Sequence, residues 1–207
     1  MFSCAYQEEK MSATRLIALH VNKSKGASVS MHERIEYSQN PEKMEDGELI
    51  MAYACHPGTA AGEFLLARRQ YQEITGREYR GDIIAYQIRQ SFRPGEITPE
   101  DANKMGYEFA MRFTRGRHAF MVPTHTDKAN IHNHIIFNSI DLDHTHKFKI
   151  FFFSGIALQR LSDILCFEHG YSIIQRKPYA ERNKRTVYPK QHTVRAEFEA
   201  VIAEVLK

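Results

Sequence analysis

The residues with the plainest chemistry fall in one stretch. It runs His125-Thr126-Asp127-Lys128-Ala129-Asn130-Ile131-His132-Asn133-His134 and continues into Ile135, Ile136, Phe137 and Asn138. A strand sends alternate side chains to opposite faces, so His132 and His134 point one way while Ile131, Asn133 and Ile135 point the other. His125 stands at the end of the preceding strand, and a tight connection returns it over the same face. Three neutral imidazoles around one point make a divalent-metal site with open coordination positions, the arrangement that catalytic metals need. Asp127 is placed to accept a ring N–H and orient one ligand, with Asn130 beside it. A polar surface hairpin would account for one such histidine, but not for three at this spacing running into Ile-Ile-Phe.

The pattern H-x-D-x-x-N-x-H-x-H resembles the third motif of relaxases, the mobilisation nucleases of plasmids and conjugative transposons. These belong to the HUH single-strand endonucleases, named for two histidines flanking a hydrophobic residue. Here Asn133 stands between the histidines, a departure that the longer relaxase pattern tolerates. Arg34-Ile35-Glu36-Tyr37-Ser38-Gln39-Asn40-Pro41-Glu42-Lys43 is similar to the first relaxase motif, which implies Tyr37 as the nucleophile toward a DNA phosphate. A phenol, with a pKa of about 10, attacks poorly at neutral pH without help, and Lys43 or the metal can supply the positive charge. Tyr53 and Tyr86 are the runners-up, but both lie in apolar strands and read as core. Arg89-Gln90-Ser91-Phe92-x-Pro94-Gly95-Glu96 resembles the second motif, implying that Arg89, Gln90 and Ser91 hold the DNA strand beside the cut, with Lys43 a further expected DNA contact.

The resemblance implies a metal-dependent DNA strand transferase. It would nick one strand at a transfer origin and leave a 5′-phosphotyrosine link, with Mg²⁺ or Mn²⁺ as the functional ion and another transition metal able to occupy the site as purified. Implied partners are single-stranded DNA, accessory mobilisation proteins and a secretion coupling protein. Two other classes stay open: a His-metal hydrolase that uses water, and a non-catalytic single-stranded DNA-binding domain. A rolling-circle replication initiator shares the chemistry, but it usually carries its tyrosine after the histidine motif.

The elements that must position these residues can be read from periodicity and stop signals. Strands are expected at 15–21, 49–55, 82–92, 118–123 and 131–140, with a possible edge strand at 171–174. Helices are expected at 29–39, closed by Asn40-Pro41, at 59–75, with Phe64, Leu65, Ala67 and Ile74 inward, from Thr98-Pro99 to Gly116, and at 154–169. The order β-α-β-α-β-α-β-β-α-β predicts an α+β fold, a five-stranded, mainly antiparallel sheet with helices on one face and the histidine strand in the sheet interior. The other histidines, His20, His32, His118, His144 and His146, read as surface or structural, and His144 with His146 form the best decoy.

The chain has 207 residues, 43% hydrophobic and 26% charged, with a net charge of +3. That is ordinary globular composition, only mildly basic, and permits nucleic-acid binding without arguing for it. Cys4, Cys55 and Cys166 are widely spaced and suit a reducing cytoplasm, and neither a membrane span nor a signal core is visible. Three parts are expected: a polar tail at 1–13, a catalytic domain at 14–174, and a basic arm from 175 leading into a helical pattern that runs to 207. The arm carries Arg176, Lys177, Arg182, Lys184 and Arg185 with Tyr179 and Tyr188 interleaved, a mixture that suits single-stranded nucleic acid. A solvated linker would have the same composition.

Overall fold

The computed structural model describes residues 13–44 and 49–173. In chain order the elements are β1 (Ala13–His20), α1 (Gly26–Ser38), a 3-10 turn (Pro41–Lys43), β2 (Ile50–Tyr53), α2 (Ala60–Thr75), β3 (Ile83–Ser91), α3 (Pro99–Thr114), β4 (Phe120–His125), β5 (His132–Asn138) and α4 (Ser154–Glu168). The five strands form one sheet in the order β1-β3-β5-β4-β2, and every neighbouring pair is antiparallel. The histidine strand β5 therefore lies in the middle, flanked by the two strands that carry its expected partners.

Helices cover both faces, where the sequence reading put them on one. The side chains of Tyr86, Ile88, Ile135 and Phe137 pack with Phe109 of α3 and with Leu158 and Leu165 of α4. On the other face Leu19, Met121 and Ile136 meet Met31 and Ile35 of α1 and Phe64 of α2. An apolar stripe tells that a helix is buried on one side, but not which face of the sheet it meets. Each buried aromatic or branched side chain contributes about 1.5–3 kcal/mol, so both layers are needed to hold β5 in place.

Local signals set the helix ends. Thr98 Oγ1 accepts a hydrogen bond from the Asp101 N–H, and Pro99 occupies the first turn of α3. α1 ends before Asn40-Pro41, whose ring cannot continue the helix, and the Asn40 side chain instead accepts from the Glu42 N–H. Gly76, in the left-handed region, ends α2. Three expectations change. Ile74 is exposed, and Tyr71 takes the inward place one turn earlier. β2 is shorter than the apolar run 49–55, because the chain turns at Ala54 with a positive φ of 52°. No strand forms at 171–173: Gly170 turns the chain, and the Tyr171 N–H donates back to the Cys166 carbonyl.

Candidate active site

His125 is the last residue of β4, and His132 and His134 are the first and third of β5. Because β4 pairs with β5 at His125↔His132, the alternation of side chains puts all three rings on the α1/α2 face. Ring centroids are 5.2 Å apart for His125 and His132, 4.3 Å for His125 and His134, and 5.1 Å for His132 and His134. One nitrogen from each ring lies within 4.8 Å of the others. All three residues are buried, and burial pushes each imidazole below its ordinary pKa. For His134, burial and then the positive charge of its histidine neighbours bring the value down to about 3. The rings are therefore neutral at physiological pH and present lone pairs, which is the donor set a divalent ion requires.

Hydrogen bonds decide which nitrogen each ring offers. A carbonyl only accepts, so His125 Nε2–H donates to the Ser38 carbonyl (2.7 Å) and leaves Nδ1 open. His132 Nδ1–H donates to the Asn130 carbonyl (3.1 Å) and leaves Nε2 open. Gln87 Nε2 lies against His134 Nδ1, with the donor end of the amide toward the ring. Two expectations are thereby corrected. The exposed Asp127 carboxylate is not the group that orients a ring; its negative charge raises the pKa of His125 and His132 from a distance. Asn130 does orient His132, but through its backbone carbonyl rather than its side chain.

Tyr37 lies on the last turn of α1 and is 59% exposed. The Lys43 ammonium sits 3.6 Å from the centre of its ring. Its hydrogen bond and charge hold the phenol below the usual tyrosine range, and Lys128 and Arg89 pull more weakly the same way. This corner is tied to the histidines twice: the Ser38 carbonyl, next to Tyr37, holds His125, and the Thr126 N–H donates to the Lys43 carbonyl at 2.8 Å. Tyr53 and Tyr86 fall on the α3/α4 face, where their hydroxyls donate to the carbonyls of Gly116 and Phe148. Neither faces the three rings.

In β3, Arg89 pairs with His134 and Ser91 with His132, so both share the histidine face. They line a groove of about 280 Å³ together with Lys128, Asn130 and His132. Gln90 does not join them. It pairs with Asn133, is fully buried on the opposite face, and its Oε1 accepts from Asn133 Nδ2 at 3.1 Å. A residue so enclosed cannot touch a DNA strand, which removes Gln90 from the expected contact set. Lys128, Ser38 and Gln87 were missed from sequence. Only Gln87 had a visible signal, being two residues before Arg89 on the same strand face. Arg176, Lys177, Arg182, Lys184 and Arg185 lie outside the described residues.

Other described histidines take structural places. His118 is buried with Nδ1 against the Asn138 and Ile140 carbonyls, and His20 pairs with Asp82 at the surface. His146 leans on the buried Asp141, which also accepts from the N–H groups of Thr145 and His146. Among the described residues, no group of His, Cys, Asp or Glu other than the three histidines gathers as a metal cluster, and no helix is long and apolar enough to cross a membrane.

Comparison with known proteins converges on one family. The profile of the relaxase family, described as the MobA/VirD2-like nuclease domain, matches residues 37–171, well over half of the chain. Protein rlx of Staphylococcus aureus is 38% identical over 110 residues, taking in 53% of this chain and 34% of that protein. The group II intron-interrupted relaxase LtrB of Lactococcus lactis subsp. cremoris is 24% identical over 201 residues, covering 78% of this chain and 36% of its own length. The chain thus spans about a third of the length of these relatives. Among solved structures, the MobM relaxase domain, Mn-bound and in complex with plasmid oriT DNA, has the same fold with a TM-score of 0.57 at 11% identity, covering 92% of this chain and 99% of that one.

Proposed function

Because the chain belongs to the MobA/VirD2-like relaxase nuclease-domain family, we propose that it nicks one strand of DNA at a transfer origin through Tyr37 and so initiates conjugative mobilisation of its plasmid or transposon. One observation carries this reading. Three buried, neutral imidazoles converge beside the end of α1, and the residue after the exposed Tyr37 holds one of them by hydrogen bond.

In this reading the Tyr37 oxygen forms a bond to the scissile phosphorus, the bond to the 3′ oxygen breaks, and a 5′-phosphotyrosine remains. The 3′ oxygen leaves as a hydroxyl, taking up a proton. Total ester count is conserved, so the reverse attack reseals the strand. Lys43 favours the phenolate by placing its ammonium on the ring and beside the hydroxyl. His125 through Nδ1, His132 through Nε2, and His134 beside them would hold a divalent ion, Mg²⁺ or Mn²⁺ in function. When bound, that ion supplies Lewis acidity toward a non-bridging phosphate oxygen. Arg89, Ser91 and Lys128 line the adjoining groove and suit the phosphates that flank the cut, contacts that position a strand without reading its sequence.

The same reading extends to the partners. The basic residues Arg176, Lys177, Arg182, Lys184 and Arg185 would contact phosphates of the strand, and removing them should flatten the salt dependence of binding. Accessory mobilisation proteins and a secretion coupling protein would meet the enzyme in the bacterial cytoplasm. The experiment is a set of single-stranded oligonucleotides tiled across the transfer origin of the chain's own element, incubated with Mn²⁺ or with EDTA and run on a denaturing gel. A metal-dependent cut in one oligonucleotide, with a protein–DNA adduct, supports the reading. Cutting without an adduct would favour the water-using hydrolase, and binding without any cut would favour a DNA-binding domain.

A further inference from the structure

Of the three groups that hold the histidine rings, two are backbone carbonyls fixed by the fold, those of Ser38 and Asn130. The third is a side chain: the amide nitrogen Nε2 of Gln87 lies against Nδ1 of His134. Gln87 is half-buried and lies on β3 opposite Ile136, two residues along the strand from Arg89, so its side chain reaches His134 across the ladder. An amide can present either end by a half-turn of its last bond, and the two ends ask opposite things of the ring. Presented as a donor, the Nε2–H₂ group occupies the lone pair of His134 Nδ1 and forces the ring proton onto Nε2. Presented as an acceptor, Oε1 takes a proton held on Nδ1 and leaves Nε2 with a free lone pair. Only the second setting makes His134 a ligand.

We propose that Gln87 is the positioning residue of the metal site: with its amide half-turned from the donor setting seen here, Oε1 accepts from His134 and holds the ring in its Nδ1–H tautomer. The proposal rests on the metal-site reading above and adds to it a group outside the motif through which the relaxase resemblance was recognised. It also sets apart the ring whose tautomer is chosen by a side chain that can turn. His125 and His132 cannot lose their acceptors without moving backbone, whereas His134 loses its acceptor by one bond rotation or one substitution.

Two substitutions separate orientation from packing. Gln87→Met keeps the length and removes the acceptor, and Gln87→Glu keeps acceptors and removes the donor setting. The full chain is titrated with Mn²⁺ by calorimetry, and the imidazole tautomers are read by long-range ¹H–¹⁵N NMR in EDTA, with thermal unfolding as the check on the fold. Outer hydrogen bonds of this kind are worth about 10–100-fold in metal affinity. Gln87→Met should therefore weaken Mn²⁺ binding by about tenfold or more and shift His134 away from the Nδ1–H form. Gln87→Glu should bind at least as tightly as the parent and hold the Nδ1–H form. If the parent binds Mn²⁺ and Gln87→Met binds within twofold of it, Gln87 has no such role and the metal site survives. Equal losses in the Met and Glu variants would make Gln87 a packing residue and also overturn the proposal. If the parent itself binds no Mn²⁺, the metal-site reading falls and this proposal with it.

Discussion

At the site end of the sheet, β5 turns two unlike faces outward. On one side His132 and His134 stand beside His125, each ring held at one nitrogen, and one nitrogen of each of the three rings lies within 4.8 Å of the others. On the other side Asn133 is closed off: its Nδ2 donates to the carbonyl of Ala102 (2.6 Å) and to Gln90 Oε1, and its Oδ1 accepts from Thr124 Oγ1 (2.7 Å). Asn103 extends this net, donating to Thr124 Oγ1 and to the Val122 carbonyl. The asparagine that departs from the HUH name therefore pins β3, β4, β5 and α3 together directly beneath the histidines. One face keeps unused lone pairs for a ligand, and the other has spent its own on support. Alternation along a strand lets adjacent residues do these opposite jobs.

The comparison breaks most visibly on the open face. The double change His132→Ala and His134→Ala should abolish Mn²⁺ binding and lower nicking by at least about a hundredfold, since it removes two of three donors. The fold should persist, because those rings are buried without contributing to either apolar cluster. Circular dichroism and calorimetry would check both halves, and Mn²⁺ binding unchanged in the double variant would refute the ligand assignment.

On the closed face the effect should appear in stability instead. Asn133→Ala strands buried polar partners at Gln90 and Thr124 and should cost about 2–4 kcal/mol, read by urea unfolding. Gly106→Ala should cost about 1–3 kcal/mol, because an added Cβ would meet Asn133 Nδ2 at 2.5 Å and Val122 Cγ1 at 2.7 Å. If either change left stability intact while removing metal binding, the division between the faces would be wrong.

A smaller effect follows from pH. In the folded chain His125, His132 and His134 sit below their ordinary pKa, so between about pH 6.5 and 3 the unfolded state binds more protons. Stability in EDTA should therefore fall as pH drops through that window and be fully recovered above it. Buried Asp141, also held below its usual range despite burial, adds a loss of the same sign at low pH. The His132→Ala, His134→Ala variant isolates the rings: its melting temperature should fall less steeply with acid than that of the parent.

Much of this division was legible before any coordinates. Period two put His132 and His134 on one face, and His125 falls at the end of β4 as its spacing required. The same rule, applied to β3, separates Gln90 from Arg89 and Ser91; reading those three as a single motif hid it. Other features had no local signal. The bond from His125 to the Ser38 carbonyl spans 87 residues, so nothing near either residue announces it, and the nearby carboxylate of Asp127 looked the better partner. The faces chosen by the helices were equally out of reach, because an amphipathic stripe fits either side of a sheet. Ile74 shows the limit of periodicity at a helix end: it keeps the helical spacing, yet one residue before the end of α2 it is exposed.

Tyr37, beside the open histidine face, is the group proposed to take the DNA. The most direct measurement is to trap the protein on a suicide oligonucleotide and map the modified peptide by mass spectrometry, for the parent and for Tyr37→Phe. Tyr37 is exposed, so the change removes one oxygen with little loss of packing, and single-stranded DNA binding should persist. The expected result is a nucleotide on the Tyr37 peptide of the parent, with no adduct and no cleavage in Tyr37→Phe. An adduct on another tyrosine would contradict it, and so would cleavage by Tyr37→Phe at the parental rate.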